Sequence, residues 1–131
     1  YAANDGLAGA AISILERNGR NGEVPVTGQD ATVEGLQAIL AGDQCMTVYK
    51  SAKQEAAALA DTAIALVNGE EPETSGETED VDGDRQVPSV LLEPESITAD
   101  NLDVVFDDGG QTVEDVCTGR YQAMCEDAGI S

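Results

Sequence analysis

With 131 residues, the chain is long enough for one modest domain and too short for two complete ones. Six Lys and Arg residues against 26 Asp and Glu residues give a formal net charge of -20, which would repel phosphate backbones and anionic lipids and argues against nucleic acid as a partner. Aromatic residues make up 3% of the chain and Trp is absent, so a core must rest on Ala, Val, Leu and Ile, as in helices packed on a sheet.

The first predicted element is a helix that begins at Asp5, where Asn4 or Asp5 can cap it and Gly19 can end it. Its apolar residues recur at helical spacing. They predict an inward face of Leu7, Ala11, Ile14 and Leu15. Residues 1–3 stand directly before this helix, and we interpret them as the last residues of a strand.

Two strands separated by a helix are predicted next. Short β-favouring runs lie at Val24–Thr27 and Cys45–Tyr49, with a helix over Thr32–Ala41 between them. The predicted inward residues of this helix are Val33, Leu36, Ile39 and Leu40. Strands that alternate with helices through short connections require a parallel sheet with helices on its faces, so the predicted fold class is α/β.

A longer amphipathic helix and an acidic run follow. The helix is predicted over Ser51–Asn68. Its apolar stripe consists of Ala52, Ala56, Leu59, Ala63, Leu66 and Val67. Eight of the 26 acidic residues then fall between positions 70 and 84, a density typical of a solvated, flexible loop. After this loop, Val87–Leu92 is predicted to be a strand and Thr112–Ala128 a closing helix or helical turns.

A calcium loop is the alternative interpretation of the acidic run. Asp80, Asp82 and Asp84 have the alternating spacing that begins an EF-hand. Arg85 replaces the turn glycine and Leu91 replaces the bidentate Glu, however, so no metal site is predicted.

Three cysteines are present, two of them close together near the end of the chain. Cys117 and Cys125 could form a disulfide while Cys45, in an apolar stretch, is predicted to be a buried thiol; alternatively, all three are reduced. Residues eight apart in one unbroken helix lie about 12 Å from each other, too far to be bridged. A disulfide therefore requires the helix to break or begin near Gly119.

Polar residues follow three predicted strands, at the edge where an open parallel sheet binds ligands. Asn4 and Asp5 follow the first strand, Gln29 and Asp30 the second, and Lys50 the third. An amide, a carboxylate and an ammonium group supply the donors and acceptors that a sugar requires. The structural alternative is that Asn4, Asp5 and Asp30 are helix N-caps and that Lys50 faces solvent.

Three segments resemble the C-terminal part of xylose-binding proteins of ABC transporters, in the type I periplasmic-binding-protein family. These segments are AANDGLAGAAISIL, GEVPVTGQDATVEGLQAILAGDQCMTVYK and VPSVLLEP, and they occur in the same order and at similar spacing. In that family a monosaccharide lies between two α/β lobes joined by three crossover strands. The resemblance implies that Asn4, Asp30 and Lys50 hydrogen-bond the sugar. Ser51 replaces the proline that follows the lysine in the family, which changes the backbone beside Lys50.

The resemblance also implies a domain organisation. Residues 1–46 would form part of the C-terminal lobe, residues 47–86 would cross a hinge and contribute a helix to the other lobe, and residues 87–131 would cross back. The chain would then be a fragment that carries one side of the sugar site. Its apolar helix stripe would be covered by the missing N-terminal lobe or by a swapped partner chain.

The function implied is that of an extracellular or periplasmic solute-binding protein, anchored as a lipoprotein in the full-length parent. Its ligand would be D-xylose or a related aldose, and its protein partner an ABC transporter permease. The alternative is the effector-binding domain of a sugar-responsive transcription repressor, which shares the fold. No enzyme activity and no cofactor are predicted, because the chain has no His, no GxSxG serine and no Cys beside a plausible base.

Overall fold

The computed structural model describes residues 1–130 and divides the chain into two compact units. The first unit comprises Tyr1–Lys50 and the chain from Pro94 onward, and the second comprises Ser51–Glu93. Among the described residues, no helix combines the length and the apolarity needed to cross a membrane.

The first unit opens with helix α1, Asp5–Arg17, as predicted. The predicted inward face is wrong at three of its four positions, because Leu7 and Ile14 remain 57% and 54% exposed and Ala11 is exposed as well. The buried apolar residues are instead Ala8 and Ile12, one turn apart, which pack with Val26 in a small cluster. The buried face of α1 is therefore centred on Ala8 and Ile12 rather than on the predicted residues. The small side chain of Ala8 allows the helix to approach its neighbour closely.

Parallel pairing between the second and third predicted strands is confirmed. Strand β1 is Thr47–Tyr49, and the segment that pairs with it contributes a single parallel bridge, Thr27 to Met46. The ladder extends to either side of the bridge, through the Cys45 N–H to the Val26 carbonyl at 2.9 Å before it and the Val48 N–H to the Gly28 carbonyl at 3.2 Å after it. Helix α2, Val33–Leu40, connects the two and buries Leu36 and Ile39 as predicted.

The predicted first strand is absent as a regular element. The backbone N–H of Ala2 donates to the Oγ1 atom of Thr27 at 3.2 Å rather than to a backbone carbonyl, so residues 1–3 do not extend the ladder. On its other side, β1 pairs antiparallel with a strand at Glu95–Ile97, in a register that places Thr47 opposite Ile97. The sheet is therefore mixed rather than wholly parallel.

The closing segment folds as short helices on α2. These helices are Asp103–Asp107, Val113–Val116 and Tyr121–Asp127. The main apolar core joins them to α2 and the sheet. It consists of Ala31, Leu36, Ile39, Tyr49, Ile97, Leu102, Val105 and Val116. Cys117 and Cys125 form a disulfide with their Cα atoms 5.9 Å apart, and Gly119, with φ of 56°, lies in the helix break that this bond was predicted to require.

The prediction of a buried thiol at Cys45 is wrong, because the side chain is exposed. The register between β1 and Glu95–Ile97 ends at the pair Thr47 and Ile97, so Cys45 lies two residues beyond the covered part of the strand. Its Sγ atom lies 3.1 Å from the carbonyl oxygen of Val26, to which it can donate.

The second unit consists of helix α3, Ala52–Asn68, and an antiparallel hairpin of strand β2, Gly76–Asp80, with strand β3, Arg85–Ser89. The predicted loop is thus wrong over residues 76–80, and the strand predicted at 87–92 begins two residues earlier and ends three residues earlier. Hydrogen bonds in the turn between β2 and β3 stabilise the hairpin. The Asp80 carboxylate accepts from the Gly83 N–H at 3.1 Å and from Arg85 Nε at 2.9 Å. The Arg85 guanidinium holds the pKa of Asp80 below its ordinary value of 3.8.

Candidate functional site

Asp30 and Lys50 form an ion pair at the carboxyl ends of two neighbouring segments. The Nζ atom of Lys50 lies 3.2 Å from Oδ1 of Asp30, and their side chains are 42% and 43% exposed. The Asp30 N–H donates to the carbonyl of Val48 at 2.8 Å, and Val48 lies two residues before Lys50. This bond fixes Asp30 beside the end of β1. A charged pair that is half open to solvent can exchange its mutual contact for contacts with a polar ligand.

The backbone at Asp30 is held in an unusual conformation. Asp30 has φ of 97° and Ala31 has φ of 46°, in the region that L-amino acids seldom occupy. Such residues cost on the order of 1–3 kcal/mol each and persist where surrounding contacts hold them. Here the Ala31 N–H donates to Thr47 Oγ1 at 3.2 Å, and Ala31 itself is 1% exposed. The strained pair is therefore fixed between the sheet and the core.

Asp5 lies beneath this segment and is buried, with 4% of the residue exposed. One oxygen accepts from Thr47 Oγ1 at 2.8 Å and from Gln44 Nε2 at 2.9 Å, and the other accepts from the Thr32 N–H at 2.9 Å. The Asp5 N–H donates to the Gln29 carbonyl at 2.9 Å. Asp5 thus joins α1, the start of α2 and β1, and it is neither an N-cap nor an exposed ligand residue.

Two glycines make room for the Asp5 carboxylate. A Cβ atom at Gly28 would overlap Oδ1 of Asp5, and a Cβ atom at Gly35 would overlap Oδ2. A side chain at either position would displace the carboxylate from its donors. The sequence identified Asp5 only as a strand-end residue and a possible N-cap, because nothing in the pattern of the chain indicates that these distant glycines surround it.

Asn4 serves as the N-cap of α1 and keeps part of its amide available. Its Oδ1 atom accepts from the Leu7 N–H at 2.9 Å, so the capping alternative is confirmed at this residue. The side chain is exposed, and within the described residues its Nδ2 group donates to no protein atom. Asn4 lies one residue before the Asp5 to Gln29 backbone bond, on the segment next to Asp30.

The capping alternative fails at Asp30. Helix α2 is capped by Thr32, whose Oγ1 atom accepts from the Gly35 N–H at 3.0 Å. The Asp30 carboxylate contacts Lys50 and, at 3.4 Å, the Nε2 group of Gln29. Lys50 faces solvent only in part. The structure thus brings Asp30 and Lys50 together and places Asn4 on the adjoining segment, where, within the described residues, its side chain forms no hydrogen bond to either of them.

A concave surface also occurs in the second unit. A groove of about 770 Å³ lies between α3 and the chain around β3, and its wall is mainly apolar. Leu59, Leu66 and Val90 line it, together with Pro72 and Pro88. None of the predicted ligand residues lies in this groove, so its chemistry differs from that of the strand-end site.

Comparison with known proteins assigns the family. The sequence model of the periplasmic binding protein domain family matches residues 1–71. The chain is 42% identical over 109 residues to the D-xylose-binding periplasmic protein of Escherichia coli K12 and 34% identical over 110 residues to the multiple sugar-binding periplasmic receptor ChvE of Rhizobium radiobacter. These alignments cover 82% and 81% of this chain but only 32% and 31% of the relatives, so the chain spans about a third of their length.

Solved structures agree with this assignment. A carbohydrate transporter solute binding protein from Chloroflexus aurantiacus, in complex with D-glucose, matches with a TM-score of 0.72 and 30% identity over 87% of this chain and 34% of its own. An ABC transporter solute binding protein from Clostridium phytofermentans, with bound β-D-glucose, matches with a TM-score of 0.63 and 27% identity over 69% of this chain and 28% of its own. The α/β fold, the order of the elements and the sequence matches agree, and the chain belongs to the periplasmic binding protein domain family.

Proposed function

We propose that this chain supplies one side of the monosaccharide site of a solute-binding protein that serves a sugar ABC transporter, with D-xylose as the leading ligand. The observation that carries the proposal is the half-exposed pair of Asp30 and Lys50, 3.2 Å apart at the carboxyl ends of parallel-paired segments. The names of the relatives, which are binding proteins for D-xylose and for multiple sugars, support it.

Each of the three residues has a distinct role in this proposal. The Asp30 carboxylate accepts hydrogen bonds from two neighbouring sugar hydroxyls, and the Lys50 ammonium donates to a third oxygen while balancing the charge of Asp30. Asn4 donates through Nδ2 while Oδ1 continues to cap α1. The strained backbone at Asp30 supports a binding role, since strain of this kind is concentrated at functional sites.

The proposed setting is extracellular or periplasmic. The curated relatives are periplasmic proteins by name, and we propose in addition that the full-length protein is lipid-anchored and delivers its sugar to an ABC transporter permease. The role is binding and release rather than catalysis, with ligand contacts selecting a closed state. The Cys117–Cys125 disulfide is compatible with an oxidising compartment.

The second unit supports a two-lobe organisation. No residue of α3 is buried, and Leu59 and Val67 are 72% and 87% exposed. We propose, as the family resemblance implies, that residues 47–86 cross a hinge and place this helix in the other lobe, and that residues 87–131 return to the lobe of residues 1–46. The remainder of that other lobe, or a swapped partner chain, would then cover the apolar face of α3.

Calorimetry on the natural gene product tests the proposal. Titration with a panel of pentoses and hexoses should show binding, with D-xylose among the tightest ligands, and Asp30→Ala should abolish it because the sugar hydroxyls lose their acceptor. Asp127→Ala removes an exposed carboxylate at the end of the last helix and serves as the matched control. Unchanged sugar affinity in Asp30→Ala would reject the site.

A further inference from the structure

The turn at residues 108–111, between the first two helices of the closing segment, contacts the immediate neighbours of both Asp30 and Lys50. The Nε2 group of Gln111 donates to the Ala31 carbonyl at 3.1 Å, and Ala31 follows Asp30. The hydroxyl of Tyr49 donates to Oδ2 of Asp108 at 2.7 Å, and Tyr49 precedes Lys50. One turn, far away in sequence, is therefore bonded to the chain beside each member of the ion pair.

The fit of this turn around Tyr49 is close. A Cβ atom at Gly110 would lie 2.5 Å from the Tyr49 hydroxyl and 2.8 Å from its ring, so only glycine allows the turn to lie against the aromatic side chain. Tyr49 is 8% exposed and belongs to the main core. The turn cannot move away from Tyr49 without opening the contact between Gly110 and the Tyr49 ring. Its position relative to β1 is therefore fixed.

The bond from Gln111 acts on the strained part of the site. The two residues at positive φ, Asp30 and Ala31, are held by hydrogen bonds from both sides. On the side of the sheet, the Asp30 N–H donates to Val48 and the Ala31 N–H donates to Thr47. On the other side, Gln111 donates to the carbonyl of Ala31. A residue at positive φ returns to a more favourable conformation when such restraints are lost.

We propose that Gln111 is a positioning residue for sugar binding: its bond to the Ala31 carbonyl keeps Asp30 aimed at the ligand from behind the site. This inference rests on the proposed function of Asp30. It extends the site to the closing segment, which lies beyond the three sequence segments that carry the family resemblance and in which no ligand contact is proposed. Gln111 itself does not touch the sugar; it acts on affinity through the backbone that carries the carboxylate.

The chain contains a matched control for this proposal. The Nε2 group of Gln37, on α2, donates to the Val116 carbonyl at 2.9 Å and is also partly buried. Both glutamines tie the closing segment to the first part of the chain through a side-chain amide and a backbone carbonyl. They differ in that only Gln111 bonds to the segment that carries Asp30. Gln37→Ala therefore measures the effect of loosening the closing segment without changing the restraint on Asp30.

The test compares Gln111→Ala, Gln37→Ala and the unmodified natural gene product by calorimetry with D-xylose and by amide hydrogen exchange without sugar. Gln111→Ala should weaken sugar affinity about tenfold, the effect of a single hydrogen bond on an equilibrium constant, and should speed exchange of the Asp30 and Ala31 amides about fivefold. Gln37→Ala should leave the affinity within about twofold and the exchange at these two amides unchanged.

Unchanged affinity or unchanged exchange in Gln111→Ala would overturn the inference, as would equal effects of the two substitutions on both measurements. If the unmodified protein binds sugar and Asp30→Ala does not, while Gln111→Ala behaves like the unmodified protein, the proposed function stands and the positioning role is rejected. If the unmodified protein binds no sugar, the proposed function fails, and exchange at Asp30 and Ala31 alone decides whether Gln111 holds the segment.

Discussion

Asp5 shows how one buried carboxylate fixes several parts of the chain at once. Its oxygens accept from Thr32 at the start of α2 and from Gln44 and Thr47 in the stretch that leads into β1, and these donors supply the compensation that a buried charge requires. Thr47 also accepts from the Ala31 N–H, so the hydrogen-bond network runs from Asp5 to the residue next to Asp30. The buried network and the candidate site are therefore parts of one structure.

Replacement of Asp5 by Ala should lower the free energy of unfolding by about 3 kcal/mol, because buried donors on Thr32 and Thr47 lose their acceptor. Urea denaturation of the natural gene product, followed by circular dichroism, measures this difference. The control Asp127→Ala removes an exposed carboxylate and should change stability by no more than about 0.5 kcal/mol. An equally small effect of Asp5→Ala would contradict the structural role given to Asp5.

At the scale of elements, the closing segment is stabilised by contacts that short helices do not provide for themselves. The helices at Val113–Val116 and Tyr121–Asp127 have four and seven residues, well below the length at which an isolated helix is stable. The buried side chain of Val116 and the Gln37 bond to its carbonyl hold them on α2, and the Cys117–Cys125 disulfide joins the two short helices to each other.

The double substitution Cys117→Ser and Cys125→Ser should lower the free energy of unfolding by about 2.5 kcal/mol, from the chain entropy of a crosslink between residues 8 apart. Thermal or urea denaturation under non-reducing conditions measures it. Cys45→Ser tests the exposed thiol and should have an effect below about 0.5 kcal/mol. Equal stability of the double variant and the unmodified protein would show that packing on α2 alone holds the segment.

For the whole molecule, the features that could be predicted from the sequence are those set by local periodicity. The apolar spacing in Val33–Leu40 predicted both that helix and its buried residues Leu36 and Ile39, and Gly119 indicated where the closing helix breaks. The positions of Leu7 and Ile14 could not be predicted, since either face of α1 contains apolar residues and tertiary contacts select Ala8 and Ile12. The hairpin at 76–89 was missed because its acidic composition indicates a loop.

The candidate site likewise has residues that could be predicted from the sequence and one that could not. Strand ends and family motifs predicted Asn4, Asp30 and Lys50, and the pairing of Asp30 with Lys50 follows from the parallel ladder between their segments. The contribution of Gln111 had no sequence signal, because its bond to Ala31 joins positions 80 residues apart. Long-range contacts of this kind depend on how the closing segment packs, which local patterns do not encode.

A crystal structure of the natural gene product with bound D-xylose tests the central claim most directly, since it measures the contacts of the sugar. We predict that a carboxylate oxygen of Asp30 and the Nζ atom of Lys50 each lie within about 2.6–3.2 Å of sugar oxygens. Asn4 should contact the same molecule through Nδ2. A sugar bound elsewhere, with the Asp30–Lys50 ion pair intact and open to solvent, would contradict the proposed site.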